Sequence, residues 1–290
     1  MLTKLPGVGY CRAARPRVMI WGMTMRIVKV QGGIGNQFFC LAMAHSLACL
    51  TGETVGLDVG AFRTDRYGHR FELGPLAKDL PGLSIVPPGL IGSRIGAVLA
   101  KGLGGPGVIG DRLPPANRSA FERLADRGRW FIGYWQDEAW IAEPDAFIAA
   151  ARRFLNARAP LARAHQLAVH YRSYADETRA DRRGAPAGEF FRAAYAKGRE
   201  AGIAGDDIVL ISDRPDLAAM RIAGAFAPTL IQKSDKYADL ATLAAAETLI
   251  LTNSSFSWWG GYLSKARLIA YPRRGELFHY PAPAGKFTVV

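Results

Sequence analysis

The segment NSSFSWWG, which begins at Asn253, is dense in hydroxyl and aromatic side chains and directly follows the apolar run TLILT, a predicted strand. Ser254 and Ser255 are candidate phosphate ligands, with Asn253 beside them, because the start of a helix presents free N–H groups and favours an anion. Trp258 and Trp259 are more typical of core side chains that hold such a loop in place.

The run QLAVHYR ends in a positive charge. It is predicted as a strand closing at His170, Tyr171 and Arg172. The planar donor fork of arginine suits phosphate oxygens and keeps its charge at any relevant pH, so Arg172 is a candidate diphosphate ligand. His170 is a second candidate, although a histidine without another ligand at metal spacing is more often structural.

A third strand end carries a hydroxyl and a carboxylate. Ser212 and Asp213 close the run DIVLIS, and Pro215 follows as a helix-starting residue. Two interpretations of Asp213 stay open: it caps that helix, or it faces a nucleotide base or ribose together with Ser212.

The glycine-rich turn GGIGNQ follows the predicted strand RIVKV near the N-terminus. Its pattern differs from the G-x-G-x-x-G fingerprint, which argues against a dinucleotide site. Gly33 and Gly35 would let backbone N–H groups approach a ligand, and Asn36 and Gln37 would bond a sugar or phosphate. A tight turn with a helix cap is the alternative.

No metal is expected, because the sequence has no D-x-D and no other acidic pair at metal-ligand spacing. Arg172 and helix N-termini would then neutralise a leaving diphosphate. Asp58 and Glu138 are candidate bases since each follows a predicted strand, and a purely structural role for either is the alternative.

Strands and helices alternate along the chain, which is typical of an α/β fold with parallel sheets. In the first half, the predicted strands are residues 26–30, 54–59 and 130–134, and the predicted helices are 38–50 and 145–155. In the second half, the predicted strands are 166–171, 207–212, 225–231, 248–252 and 268–271, and the predicted helices are 186–201, 216–224, 237–246 and 257–263. The Gly- and Pro-rich stretch 81–118 is predicted as loops with one short helix at 93–103.

Two α/β halves separated near residue 160 predict two Rossmann-like domains with parallel sheets facing a cleft. We assign residues 25–158 to the N-terminal domain and 159–290 to the C-terminal domain. Residues 1–24 are expected to be a disordered extension or an over-long translation start, since the first convincing strand follows them. Their apolar stretch is too short for a signal sequence or a membrane span.

The chain has 37 Lys+Arg against 25 Asp+Glu, a formal charge of +12, which favours polyanions. Arginines spread along the sequence are typical of a solvated surface, and they also permit peripheral association with the inner membrane. No RNP-like or KH-like signature is present, so nucleic acid is not the expected partner. A cytoplasmic location is expected.

Taken in order, the segments GGIGNQFF, LDVGAF, GYWQDEAW, VHYR, ISDRPD and DLATLAAAETLILTNSSFSWWGGYLS resemble the bacterial α-1,2-fucosyltransferases, over residues 25 to about 271. The resemblance implies a GT-B fold and a metal-independent, inverting transfer of L-fucose from GDP-L-fucose to a galactose hydroxyl of a glycan. The C-terminal domain would hold the donor, and the N-terminal domain would be the acceptor side. No cofactor is implied.

By this resemblance, Arg172 contacts the donor phosphate, while the NSS segment and the Ser-Asp turn help to hold GDP. The glycine-rich turn with Asn36 closes on the donor. One departure stands out: the family continues after this arginine with a Gly-Asp-Tyr stretch, whereas this chain has Ser173, Tyr174, Ala175 and Asp176. Asp176 would replace the missing carboxylate from a shifted position.

Two other functions fit the same sequence. A glycosyltransferase with another GDP-sugar or another acceptor linkage is the first alternative, because the motifs describe the nucleotide better than the acceptor. A non-enzymatic polyanion-binding protein is permitted by the charge.

Overall fold

The computed structural model describes residues 25–86, 107–159, 163–173, 188–203, 205–273 and 280–290. The predicted extension 1–24, the predicted helix 93–103 and Asp176 lie outside the described residues. The chain divides between Ala151 and Arg152 into two compact units, called unit 1 and unit 2 below. Each unit contains a sheet of parallel strands with helices, so the predicted α/β class with two parallel-sheet domains is confirmed.

Unit 1 is built on a sheet whose described strands run in the order β3-β2-β1-β5-β4, all parallel. Its elements are β1 (Arg26–Lys29), α1 (Ile34–Thr51), β2 (Val55–Asp58), a 3-10 turn (Gly60–Arg63), α2 (Gly74–Asp79), β3 (Leu83–Val86), β4 (Val108–Gly110), α3 (Arg118–Arg127), β5 (Trp130–Ile132), a 3-10 turn (Glu138–Trp140) and the first part of α4 (Pro144–Asn156). The strand order reverses between β1 and β5, and ligands of open α/β sheets bind beyond the carboxyl ends of such a strand pair.

Helix α1 forms the core of unit 1. By length and composition this helix could cross a membrane, but 83% of its 18 residues are buried inside the protein, as in a core helix. The helix begins at Ile34, earlier than the predicted residue 38. In the turn before it, Gly32 has a positive φ of 79° and Gly33 is extended and serves as the N-cap, so the chain is helical from Ile34 onward. Gly52 ends the helix in the left-handed conformation, and its N–H bonds Ala48 O.

Unit 2 contains a larger parallel sheet in the order β11-β10-β9-β6-β7-β8. Its described elements after α4 are β6 (Leu167–Tyr171), α5 (Gly188–Glu200), β7 (Ile208–Ser212), α6 (Pro215–Ile222), β8 (Leu230–Gln232), α7 (Lys236–Ala245), β9 (Thr248–Leu251), α8 (Ser255–Leu263), β10 (Leu268–Tyr271) and β11 (Thr288–Val289). The order reverses between β6 and β9, strands whose apolar residues are buried in the sheet.

Two sequence predictions are wrong. Stretch 81–118 contains β3 and β4 rather than loops alone, because strands of three or four residues form there by pairing with β2 and β5 despite the flanking glycines and prolines. The predicted strand 225–231 is confined to Leu230–Gln232, which pairs with β7, while the residues before it form a turn and coil.

The division between the units falls inside α4, earlier than the predicted boundary at 158/159. Arg152, in the second half of this helix, is bonded to residues of unit 2. Its Nε donates to Leu263 O at 2.7 Å and its Nη2 donates to Ser264 O at 3.2 Å. The sequence pattern of this helix is continuous and does not indicate where its contacts change from unit 1 to unit 2. The prediction therefore assigned the whole helix to the N-terminal domain.

Candidate functional site

The carboxyl ends of β6, β7 and β9 form one edge of the unit 2 sheet. His170 is in register with Ile211 on one side and Leu251 on the other, and Tyr171 is in register with Ser212. The residues that follow these strands are therefore neighbours. They lie at the point where the strand order reverses, which is the usual ligand-binding position in an open parallel sheet.

Arg172 is held at this edge through its backbone and its side chain. Its N–H donates to Thr252 Oγ1 at 3.0 Å, and Thr252 is fully buried. The guanidinium is 49% exposed, and Nη1 lies 3.2 Å from Asp213 Oδ2. Its other N–H groups bond no described residue, so an oriented donor fork remains available for an anion.

Asp213 orients the end of β6 and does not cap α6. Oδ1 accepts from Ser173 N at 2.9 Å, and Oδ2 accepts from Ser173 Oγ at 3.0 Å as well as facing Arg172. The N-cap of α6 is Arg214, which makes no side-chain capping bond, while Ser212 Oγ accepts from Arg214 N at 3.0 Å. The cap interpretation of Asp213 is therefore wrong.

His170 is an uncharged internal residue. Its Nδ1 lies 2.5 Å from Ser257 Oγ, and its ring lies against Phe256 with centroids 5.0 Å apart. Burial lowers the pKa of His170 to about 3, with a further lowering from Arg172 that Asp213 opposes. The imidazole is thus neutral near pH 7 and supplies no positive charge to an anion.

The side chains of the NSS segment divide into two that bond other residues of the protein and one that does not. Ser254 is buried and caps α8, since its Oγ accepts from Ser257 N at 3.0 Å and lies 2.8 Å from Ser257 Oγ. Asn253 Oδ1 accepts from the Tyr271 hydroxyl at 3.1 Å. Ser255, by contrast, is half-buried, and its hydroxyl bonds no group in the described part of the chain. Ser255 is therefore the hydroxyl best placed to meet a ligand at the start of α8.

We expect Ser254→Ala to lower stability and Ser255→Ala to lower ligand affinity. Ser254→Ala should cost about 1–3 kcal/mol of unfolding free energy, because it removes a cap and leaves a buried partner unpaired. Ser255→Ala should change stability by less than about 0.5 kcal/mol and should instead weaken binding of the GDP donor that the sequence resemblance implies. Urea unfolding and GDP titration of both variants measure this; equal loss of stability in both would make the whole segment structural.

The predicted residues of unit 1 lie at the carboxyl edge of its own sheet. Gly33 is the N-cap of α1 without a side-chain capping bond, and Gly35 is buried in the first turn. Asn36 does not cap the helix, because its Oδ1 accepts from Gln136 Nε2 at 2.8 Å and so joins the first turn of α1 to the segment after β5. Gln37 is buried and does not cap the helix either, because its Nε2 donates to Gly32 O at 3.0 Å and to Arg70 O at 2.8 Å.

The two candidate bases lie after different strands. Asp58 ends β2, and its Oδ1 accepts from Gly60 N at 2.8 Å. Glu138 is half-buried in the 3-10 turn after β5. Strand β1 separates β2 from β5 in the sheet, so these carboxylates follow strands that are not adjacent. Within the described ranges, no group of three or more His, Cys, Asp or Glu has the geometry to hold a metal ion.

Sequence reasoning missed Thr252, Ser173 and Ser257, which hold Arg172, Asp213 and His170 in place. Thr252 carried a usable signal, since it is a polar residue immediately after the buried strand TLIL. The bond from Ser257 to His170 joins residues far apart in the sequence and becomes visible only once β6 and β9 are paired.

No protein-family model and no curated protein sequence matches the chain. Among solved structures, the fucosyltransferase NodZ from Bradyrhizobium is 17% identical with a TM-score of 0.44, covering 83% of this chain and 94% of that one. A variant of Arabidopsis thaliana FUT1 in complex with GDP is 13% identical with a TM-score of 0.44, covering 86% of this chain and 70% of that one. The E. coli ADP-heptose LPS heptosyltransferase II is 14% identical with a TM-score of 0.42, covering 92% and 90%. Likenesses this low assign no activity.

Proposed function

We propose that the chain is an inverting glycosyltransferase that transfers L-fucose from GDP-L-fucose to a galactose hydroxyl of a glycan in α-1,2 linkage. The observation that supports the proposal is the position of Arg172, which follows β6 where the strand order of unit 2 reverses. Its backbone is bonded to Thr252, and its guanidinium is paired with Asp213. The motif resemblance supplies the identity of the donor and of the linkage.

The donor diphosphate is proposed to bind between Arg172 and the start of α8. Arg172 offers a charge-assisted fork whose orientation is maintained by Thr252 and Asp213. Ser255 and the first N–H groups of α8 add neutral donors and the favourable end of the helix dipole. These groups together replace the charge that a metal ion supplies in other transferases, so we propose a metal-independent reaction without a cofactor.

In the proposed step, the galactose hydroxyl attacks the anomeric carbon of fucose on the face opposite GDP. The new glycosidic bond forms as the bond from that carbon to the diphosphate oxygen breaks, and its electron pair stays on the β-phosphate. Arg172 stabilises the charge that grows there, an interaction stronger in the transition state than in the ground state. Asp58 and Glu138 are proposed candidates for accepting the hydroxyl proton.

We propose a cytoplasmic location with peripheral contact to the inner membrane, where a glycan acceptor with a terminal galactose would be presented. The formal charge of +12 supports attraction to an anionic surface. No nucleic acid partner is proposed.

Turnover of GDP-fucose, GDP-mannose and UDP-sugars in the presence of EDTA tests this function. We expect release of GDP from GDP-fucose with a galactoside acceptor, with activity largely unchanged by EDTA. NMR of the product should identify an α-1,2 linkage. Preference for GDP-mannose would identify another GDP-sugar transferase, and activity lost with EDTA and restored by manganese would contradict the metal-independent mechanism.

A further inference from the structure

Two exposed tyrosines follow strands at the carboxyl edge of the unit 1 sheet. Tyr134 comes after β5 and is 39% exposed, and Tyr67, in the loop between β2 and α2, is 70% exposed. The ring of Tyr67 meets that of His69 edge to face, with centroids 5.8 Å apart. A tyrosine offers an apolar ring face together with a hydroxyl, which suits a ligand that is apolar on one side and polar on the other.

The position of Tyr134 is fixed by the residues next to it. Its N–H donates to Asp111 Oδ2 at 2.5 Å, and the N–H of Trp135 donates to the same oxygen at 3.2 Å. Trp135 is fully buried and has a φ of 58°, a strained value for a residue with a side chain and one that is concentrated at functional sites. The buried indole and the bonded carboxylate together hold the Tyr134 ring at the surface.

Three side chains meet the glycine turn before α1. A Cβ added at Gly32 would lie 2.7 Å from Asn36 Nδ2 and 3.2 Å from Tyr134 Cε1. A Cβ added at Gly33 would lie 3.4 Å from His69 Nε2. The amide, the phenol ring and the imidazole therefore lie against adjacent residues of one turn, beside the point where the strand order of unit 1 reverses.

Polar atoms at this turn have no partner in the described part of the chain. Asn36 Oδ1 accepts from Gln136 Nε2 at 2.8 Å, which leaves Nδ2 as a donor. His69 Nδ1 lies 3.1 Å from Asp65 Oδ1, so the carboxylate assigns the ring proton to Nδ1 and leaves a lone pair on Nε2. The hydroxyl of Tyr134 also bonds no described residue. Donors and an acceptor are thus offered together, as a ligand with several hydroxyls requires.

Gln37 fixes the loop of His69 to the same turn. Besides its bonds to Gly32 O and Arg70 O, its Oε1 accepts from Glu72 N at 2.9 Å. The Gln37 side chain is fully buried, so these bonds are shielded from water. The position of the imidazole beside the turn is therefore maintained by the fold of unit 1.

The charges that act on Tyr134 favour a neutral ligand over a phosphate. Desolvation raises the pKa of Tyr134, and the carboxylates of Asp65 and Asp111 raise it further. The phenol is therefore protonated at neutral pH, and the same negative charges oppose an anion at this position. Arg66 donates to the Tyr67 hydroxyl at 2.6 Å and lies over its ring, so this cation already has a partner.

From this geometry we propose that unit 1 holds a binding site for one neutral hexopyranose, the terminal sugar of a glycan. The rings of Tyr67 and Tyr134 meet the C–H face of the sugar. Asn36 Nδ2 donates to a sugar oxygen, and His69 Nε2 accepts from a sugar hydroxyl. All four residues belong to unit 1. The identification of this sugar as the galactose acceptor rests on the proposed function, whereas the sugar chemistry of the site does not.

Titration of methyl β-galactoside into the full chain without nucleotide tests the site. We expect saturable binding that Tyr134→Ala weakens by about tenfold or more, because the ring surface is lost. Tyr134→Phe keeps the ring and should stay within about threefold of the parent. Met220→Ala is the control, since it removes an exposed apolar side chain from unit 2 and should leave the affinity within about twofold.

A deoxy-sugar comparison tests the bond to His69. His69→Phe removes the lone pair and should weaken galactoside binding by about 3–10-fold. One deoxygalactoside should lose the same factor with the parent and nothing further with His69→Phe. The matched control is His165→Phe in unit 2, where Nδ1 also lies 3.1 Å from an aspartate oxygen, Asp207 Oδ1. It should bind the galactoside within about twofold of the parent, and Asp207→Asn replaces it if the variant fails to fold.

The site is overturned if the folded parent binds no methyl galactoside, glucoside or mannoside, or if the parent, Tyr134→Ala and His69→Phe bind with equal affinity. Binding of inorganic phosphate in place of sugar, weakened by the same two variants, also overturns it. Glucoside or mannoside binding without galactoside binding supports the site and contradicts the proposed acceptor.

Turnover with GDP-fucose separates this site from the proposed function. A parent that binds the galactoside through Tyr134 and His69 but transfers no sugar to it contradicts the proposed function and supports the site. Transfer with an acceptor KM unchanged in Tyr134→Ala and His69→Phe overturns the site and leaves the proposed function in place.

Discussion

Replacing Arg172 with alanine is expected to lower turnover by on the order of 10²–10³-fold, a loss of about 2.7–4 kcal/mol of transition-state stabilisation. The reason is that its fork meets charge that grows on the leaving diphosphate. The fold should be almost unaffected, because the side chain is 49% exposed and its ion pair with Asp213 is solvated. Its backbone bond to Thr252 remains in the variant.

Arg172→Lys should lose less than Arg172→Ala, since one positive charge remains but the two-pronged geometry is lost. Arg214→Ala is a matched control, because it removes an exposed arginine that follows the neighbouring strand β7 without removing a side-chain cap. Steady-state kinetics with thermal melts of all three variants measure the effect. A well-folded Arg172→Ala within about threefold of the parent would remove this residue from the mechanism.

Trp258→Ala is expected to cost about 3–5 kcal/mol of unfolding free energy. Its side chain is fully buried, its ring stacks on Tyr262 with centroids 4.4 Å apart, and its Nε1 donates to Pro281 O at 2.8 Å. The variant therefore leaves a cavity beside α8, the helix that begins at the candidate donor site, and an unpaired carbonyl at Pro281.

Urea unfolding measures this loss, with Met220→Ala as the apolar control. Met220 is 76% exposed, so its removal should change the unfolding free energy by less than about 0.5 kcal/mol. A cost below about 1 kcal/mol for Trp258→Ala would contradict a core role for the tryptophan.

The sequence predicted the strands that lie at the candidate donor site. Strands β6, β7 and β9 come from continuous apolar runs, because each is covered on both faces, and their polar residues begin where the runs end. By contrast, β3 and β4 are partly exposed and lie among glycines and prolines, so only their pairing with β2 and β5 distinguishes them from loops.

The roles of single polar side chains were harder to predict. The NSS segment was expected to supply phosphate ligands, yet Ser254 and Asn253 direct their side chains to Ser257 and Tyr271. Asp213, which follows β7, accepts from Ser173, which follows the neighbouring strand β6. Such partners come from neighbouring strands, and a local sequence pattern contains no information about them.

Calorimetric titration of GDP into the parent protein and Arg172→Ala, both in EDTA, tests the central claim most directly. We expect the parent to bind GDP without added metal, UDP to bind more weakly, and Arg172→Ala to weaken GDP binding by about tenfold or more, equivalent to about 1.4 kcal/mol. Absence of GDP binding by the folded parent, or equal GDP affinity in the parent and Arg172→Ala, would contradict a donor site at the strand ends of unit 2.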